Sequence, residues 1–145
     1  MVDDIQNDLK QAQLARDVVK VSTLRLLLSE IKNAEIAKGQ SLAEQDIISV
    51  VQREIKKRKE AAVGFRSGNR EESALKEEAE AKVLEAYLPA QMSVEELTKI
   101  VEETITELGA SSVADMGKVI GAVMGKVKGK TDGGSVSAMV KEKLS

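Results

Sequence analysis

Glu77 to Glu96 reads EEAEAKVLEAYLPAQMSVEE. Its first eleven residues carry helix formers, with Ala81, Val83, Leu84 and Tyr87 supplying the apolar positions. The helix must end before Leu88-Pro89, because a residue preceding proline is pushed out of the helical region. Pro89 is the sole proline in 145 residues. Four residues later Ser93-Val94-Glu95-Glu96 forms a capping box, a serine hydroxyl and a glutamate carboxylate that satisfy each other's backbone N–H groups at a helix start. One helix stops and another starts across this stretch. The expected boundary therefore separates an N-terminal helical bundle, residues 1–90, from a small C-terminal helical subdomain, residues 91–145.

On the N-terminal side the pattern is helical throughout. Ile5, Leu9, Ala12 and Ala15 share one side of a segment from Asp3 to Arg16. Asp17 is placed to cap a long helix from Val18 to Lys38, whose Val21, Leu24, Leu27, Leu28, Ile31 and Ala34 keep the 3.6-residue period. Gly39 stands where a left-handed terminal residue is wanted. Ser41-Leu42-Ala43-Glu44 reads as another capping box, opening a helix to about Arg66, and a fourth helix follows from Arg70 to Tyr87. Beyond Ser93 a helix runs to Leu108 with Gly109 as its stop. A shorter one spans about Val113 to Lys126, and a last one runs from Asp132 to Leu144. No segment alternates as a strand would, so the fold class is all-α.

The composition narrows the chemistry. There is no His, Cys or Trp, and Tyr87 and Phe65 are the only aromatic residues. Imidazole bases, thiol nucleophiles, zinc fingers and disulfides are excluded, as is an aromatic platform for unstacked bases. Carboxylate pairs such as Glu95/Glu96 and Glu102/Glu103 fall on amphipathic helices as a solvated face would, and no residue reads as an activated nucleophile. No catalytic residue, metal or cofactor is expected. The net charge is -2, which gives no global attraction to nucleic acid, and no apolar run approaches the ~20 residues of a membrane span. MVDDIQNDLK, residues 1–10, is amphipathic and acidic rather than a signal peptide, so the expected compartment is the cytoplasm, with no membrane partner.

The near-neutral total hides local charge. Arg53 to Arg70 holds seven basic and two acidic residues, a local charge of +5, and Glu71 to Glu85 carries -4. Arg53, Lys56, Lys57 and Arg58 are a candidate phosphate-binding ridge; a solvated face with i, i+4 pairs such as Glu54–Arg58 is the plainer reading. The second candidate is Met116 to Gly134, MGKVIGAVMGKVKGKTDGG. Glycine recurs at 117, 121, 125, 129 and 133, and interior glycines each cost a helix ~1 kcal/mol relative to Ala. Two readings stay open. A partner helix packs closely against the glycine face, or backbone near Gly129 meets a phosphate among Lys126, Lys128 and Lys130. Gly125 to Thr131 is one spacer short of a Walker loop and no strand precedes it, which argues against a nucleotide site.

GAVMGKVKGKTDGGSVSAMVKEKL, Gly121 to Leu144, resembles the C-terminal tail of the GatB chain of the tRNA-dependent amidotransferases, with Gly121, Val123, Met124, Lys128, Gly129, Lys130 and Val136 in register. Over its whole length the chain more closely resembles the free-standing YqeY family. That likeness is carried by LRLLLSEIKNAEIAKG (24–39), VVQREIKKRKEA (50–61), EEAEAKVLEAYLPAQMS (77–93) and DMGKVIGAVMGKVKGKTDG (115–133). The resemblance implies two helical subdomains and a tail that holds the tRNA body. It makes Lys126, Lys128, Gly129 and Lys130 expected tRNA contacts, and Lys118 joins them as a nucleic-acid-binding candidate. Gly125 and Asp132-Gly133 depart from the amidotransferase pattern, loosening the loop and setting an acid beside the phosphate site. The function so implied is a non-catalytic accessory protein that binds tRNA or a tRNA-linked protein. The alternatives are a protein–protein interaction module and a component of a glutamine-dependent carbon–nitrogen ligase.

Overall fold

The computed structural model describes residues 1–145, and these divide into two compact units, Met1–Leu88 and Pro89–Ser145. The N-terminal unit holds α1 (Val2–Leu14), α2 (Val18–Lys38), α3 (Glu44–Ser67) and α4 (Glu71–Glu85). The C-terminal unit holds α5 (Val94–Leu108), α6 (Met116–Val127) and α7 (Gly133–Leu144), with a 3₁₀ turn at Val113–Asp115 leading into α6. There is no strand, and the fold is all-α.

Helix ends follow the local chemistry. Asp17 Oδ1 accepts from the Lys20 N–H at 3.1 Å to cap α2, and Gly39 closes that helix in the left-handed conformation at φ 78°. Ser93 Oγ accepts from Glu96 N at 3.1 Å while Glu96 Oε2 accepts from Ser93 N at 3.2 Å, the expected box at the start of α5. The start of α3 is a correction. The helix begins at Glu44 rather than Leu42, and Ser41 caps nothing. Asp46 takes over, because its carboxylate accepts from both the Ala43 N–H at 3.0 Å and Lys38 Nζ at 2.6 Å. The Lys38 hydrogen bond, helped by the Ala43 amide, holds the Asp46 carboxyl below its ordinary value.

Each unit buries its own apolar stripe. In the first, Ile5 of α1, Leu24, Leu27 and Ile31 of α2, Ile47, Val51 and Ile55 of α3, and Ala81 and Leu84 of α4 form one cluster. Removing a side chain such as Leu84 from water contributes about 1.5–3 kcal/mol. α3 and α4 make the most extensive helix pair, an antiparallel hairpin whose turn is clasped by Arg66, bonded to Glu71 at 2.9 Å and Glu78 at 2.6 Å. In the second unit Leu97 and Val101 of α5 meet Val119, Val123 and Val127 of α6, and Val136, Val140 and Leu144 of α7. The i, i+4 spacing on α6 and α7 gives each a single apolar edge, enough for three short helices to share one core.

Candidate nucleic-acid interface

On α6, Val119, Val123 and Val127 are fully buried, and each stands two residues after a glycine. Two residues is about 200° of helix rotation, so Gly117, Gly121 and Gly125 occupy the face opposite the core. That face is open: a Cβ built at any of the three meets nothing within 4 Å. Of the two readings left open, close packing by a partner helix is not met by any helix of this chain. α5 and α7 take the valine side instead.

Beyond α6 the chain enters a loop with an unusual backbone. Lys128 is left-handed at φ 40°, ψ 55°, and Gly129 follows at φ 84°. A non-glycine residue there costs on the order of 1 kcal/mol, and the loop holds it with several bonds. Lys128 N donates to Met124 O at 3.2 Å and Lys130 N to Val127 O at 2.9 Å. Lys130 O accepts from Met92 N at 2.9 Å, and Gly129 O accepts from Gln91 Nε2 at 3.2 Å. The stretch just before α5 thus fixes the loop after α6. Gly129 and Thr131 are buried, while Lys128 and Lys130 between and beside them are exposed. Asp132, the acid beside this loop, is committed to capping α7, with Oδ1 accepting from Ser135 N at 2.6 Å.

The five tail residues do not form one uniform patch. Lys118 is exposed on α6, rotated about 60° from Gly121 and so flanking the open face. Lys126 points the other way. Its Nζ donates to Thr104 Oγ1 at 2.9 Å and pairs with Glu107 at 2.8 Å, cross-linking α6 to α5. Thr104 is fully buried and donates its own proton to Ile100 O, so Lys126 supplies the donor that its oxygen would otherwise lack. Lys118, Lys128 and Lys130 are therefore the exposed cations of this segment outside an ion pair, with no acidic residue between Met116 and Thr131.

The ridge on α3 looks different. Arg58 is a correction: it is buried, not presented to solvent, with Nη1 bonded to Glu54 at 2.8 Å and Nε 3.4 Å from Glu80. The period of α3 explains this, since Val51, Ile55, Arg58 and Ala62 fall on the side that packs against α4. Lys57 also reaches Glu54, at 3.5 Å, and Lys59 reaches Glu85 at 3.2 Å. Arg53 and Lys56 are left exposed without a carboxylate partner. Most of the +5 is thus answered by the acids of α4 and by Glu54.

Two helical units, the second carrying an open glycine face and an outward lysine loop, define a class of small all-α protein with a local basic surface. The chain belongs to the YqeY family: the model described as Yqey-like protein matches residues 2–144. It is also similar to proteins named "Altered inheritance of mitochondria protein 41, mitochondrial". The one from Lachancea thermotolerans is 35% identical over 147 residues, covering 99% of this chain and 78% of that protein. The one from Vanderwaltozyma polyspora is 37% identical over 107 residues, covering 72% of this chain and 58% of that protein. The one from Kluyveromyces lactis is 37% identical over 110 residues, covering 74% and 60%. The aligned part is thus about three-fifths of the length of two of these relatives. No helix of the chain is long and apolar enough to cross a membrane.

Proposed function

We propose that the protein is a non-catalytic accessory factor that binds tRNA through α6 and the Lys128–Thr131 loop. The observation that carries this reading is the open face of Gly117, Gly121 and Gly125, with exposed Lys118 on the same helix and exposed Lys128 and Lys130 in the loop that follows it. A helix without side chains on one face lets a sugar–phosphate backbone lie close to it, and lysines at the edges neutralise phosphates. Such contacts position a nucleic acid without reading its sequence. The likeness of Gly121–Leu144 to the amidotransferase tail supports tRNA over other polyanions. Lys126 contributes to this surface through the α5–α6 cross-link rather than as a free cation. Arg53 and Lys56 are what the α3 ridge has left to offer a second contact. The cytoplasm is the proposed compartment; a mitochondrial one, which the relatives' names carry, is its rival.

Titration of unfractionated tRNA against the wild type and a Lys118/Lys128/Lys130→Ala variant, at two salt concentrations, tests the reading. Three phosphate contacts give a log–log salt slope of roughly -2 to -3, and the variant should lose most of it. Equal binding by both proteins rejects the site, and absence of binding by the wild type rejects the function. The same open glycine face also suits a helix of a partner protein, the second reading. Association that is insensitive to salt and to nuclease favours it.

A further inference from the structure

The N-terminal unit carries a second surface that the RNA reading does not use. Leu14 and Val18 lie on either side of the α1–α2 corner and are 79% and 78% exposed. Beside them runs an open groove of about 310 Å³, walled by Gln13 and Arg16 from the α1 side and by Ser22 and Arg25 from α2, with Val18 and Val21 as its apolar part. Neither Arg16 nor Arg25 has a carboxylate partner, and both are exposed. Arg16 sits at φ 58°, and the corner is closed by Asp17 N donating to Ala12 O at 3.0 Å. Glycine is the residue that fits such a position at least cost, yet an arginine stands there. The nearest acid in sequence, Asp17, has its carboxylate turned to the α2 amide of Lys20.

We infer that this groove docks an acidic amphipathic helix of a partner protein. Charge complementarity selects the occupant. Two unpaired guanidiniums, one on each wall, suit carboxylates and hold them in a bidentate fork. Val18 and Val21, which line the same groove, suit an apolar side chain of the same segment. A nucleic-acid backbone would satisfy the arginines but would leave Leu14 and Val18 as exposed as before. An amphipathic helix with leucine-like anchors one turn apart and Asp or Glu beside them covers both kinds of surface.

The test is selection from a phage-displayed library of random 16-residue peptides on the full-length protein, with the Arg16→Glu/Arg25→Glu variant as counter-target. Enrichment of peptides with apolar residues at i and i+4 flanked by Asp or Glu is expected. Their affinity for the variant should fall by about tenfold or more, as for charged anchors at an interface. Binding should also shift the Val18 and Val21 methyl resonances. Selection of basic or neutral peptides, no selection at all, or undiminished binding to the variant overturns the inference. So does a groove that instead takes unfractionated tRNA or phosphatidylglycerol vesicles in an Arg16- and Arg25-dependent way. Circular dichroism of the variant, expected to match the wild type because both side chains are exposed, separates a lost contact from a lost fold.

Discussion

Arg58 Nη1 lies 2.8 Å from Glu54 Oε2, one turn back on α3, and both side chains are more than nine-tenths buried. Glu80 of α4 approaches the same guanidinium at 3.4 Å. Replacing Arg58 by Met would leave Glu80 with no cation and Glu54 with only Lys57. We expect a loss of about 3 kcal/mol, the lower end for breaking a buried pair, since Lys57 remains. Lys56→Ala, on the exposed side of the same helix, should stay within about 0.5 kcal/mol. Urea unfolding followed by circular dichroism measures both, and equal costs would contradict the burial of Arg58.

Tyr87 donates its hydroxyl to Asp8 Oδ2 at 2.6 Å, joining the end of α4 to α1. Burial, reinforced by Asp8, pushes the Tyr87 hydroxyl above its ordinary value of 10.0. The folded state then holds the proton more tightly than the unfolded chain. The stabilisation is complete below pH 10 and is lost as pH rises from there toward the folded value. Tyr87→Phe should cost about 1 kcal/mol at neutral pH and remove that part of the alkaline decline. Parallel slopes for the two proteins between about pH 9.5 and 11.5 would count against the Asp8 bond.

The open glycine face separates stability from binding. A methyl group added at Gly117, Gly121 or Gly125 meets no atom within 4 Å, so each Gly→Ala change should stabilise α6 by about 0.5–1 kcal/mol. If the face is the contact surface, the same changes weaken tRNA binding. A more stable protein with reduced affinity is the expected result. Gains in stability with unchanged affinity would move the interface off this face.

Lys128 and Gly129 should respond oppositely to substitution, since both have positive φ. Gly129→Ala is expected to destabilise the C-terminal unit by about 1 kcal/mol, whereas Lys128→Gly relieves a strained residue and stabilises it by up to about 1 kcal/mol. Lys128→Gly also removes a cation, so the salt slope of tRNA binding should become shallower by nearly one unit. Thermal unfolding and salt titration of the two variants provide the check.

Local features were legible wherever the chemistry is local. Asp17, Gly39, Ser93 and Gly109 mark helix ends because each acts on backbone groups within a few residues. The 3.6-residue period marked the buried Leu24, Leu27 and Ile31 of α2 for the same reason. Ser41 failed as a cap because Asp46 also has Lys38 to hold it, a partner eight residues away that no local pattern contains. Met92 and Gln91, which fix the lysine loop, gave no signal, since they act through a backbone amide and an ordinary side-chain amide.

By itself, then, the sequence determined an all-helical chain, the ends of most of its helices and the stretch of lysine and glycine on which the functional reading rests. Spacing along a helix sets which residues share a face, but not whether that face meets core, neighbour or water. Only the tertiary structure decided that Arg58 is buried between Glu54 and Glu80, that Lys126 is bound to Thr104, and that the glycines of α6 face outward. Those outcomes depend on which helices pack together, and charge or a missing side chain is worth nothing fixed until the surrounding dielectric and neighbours are in place.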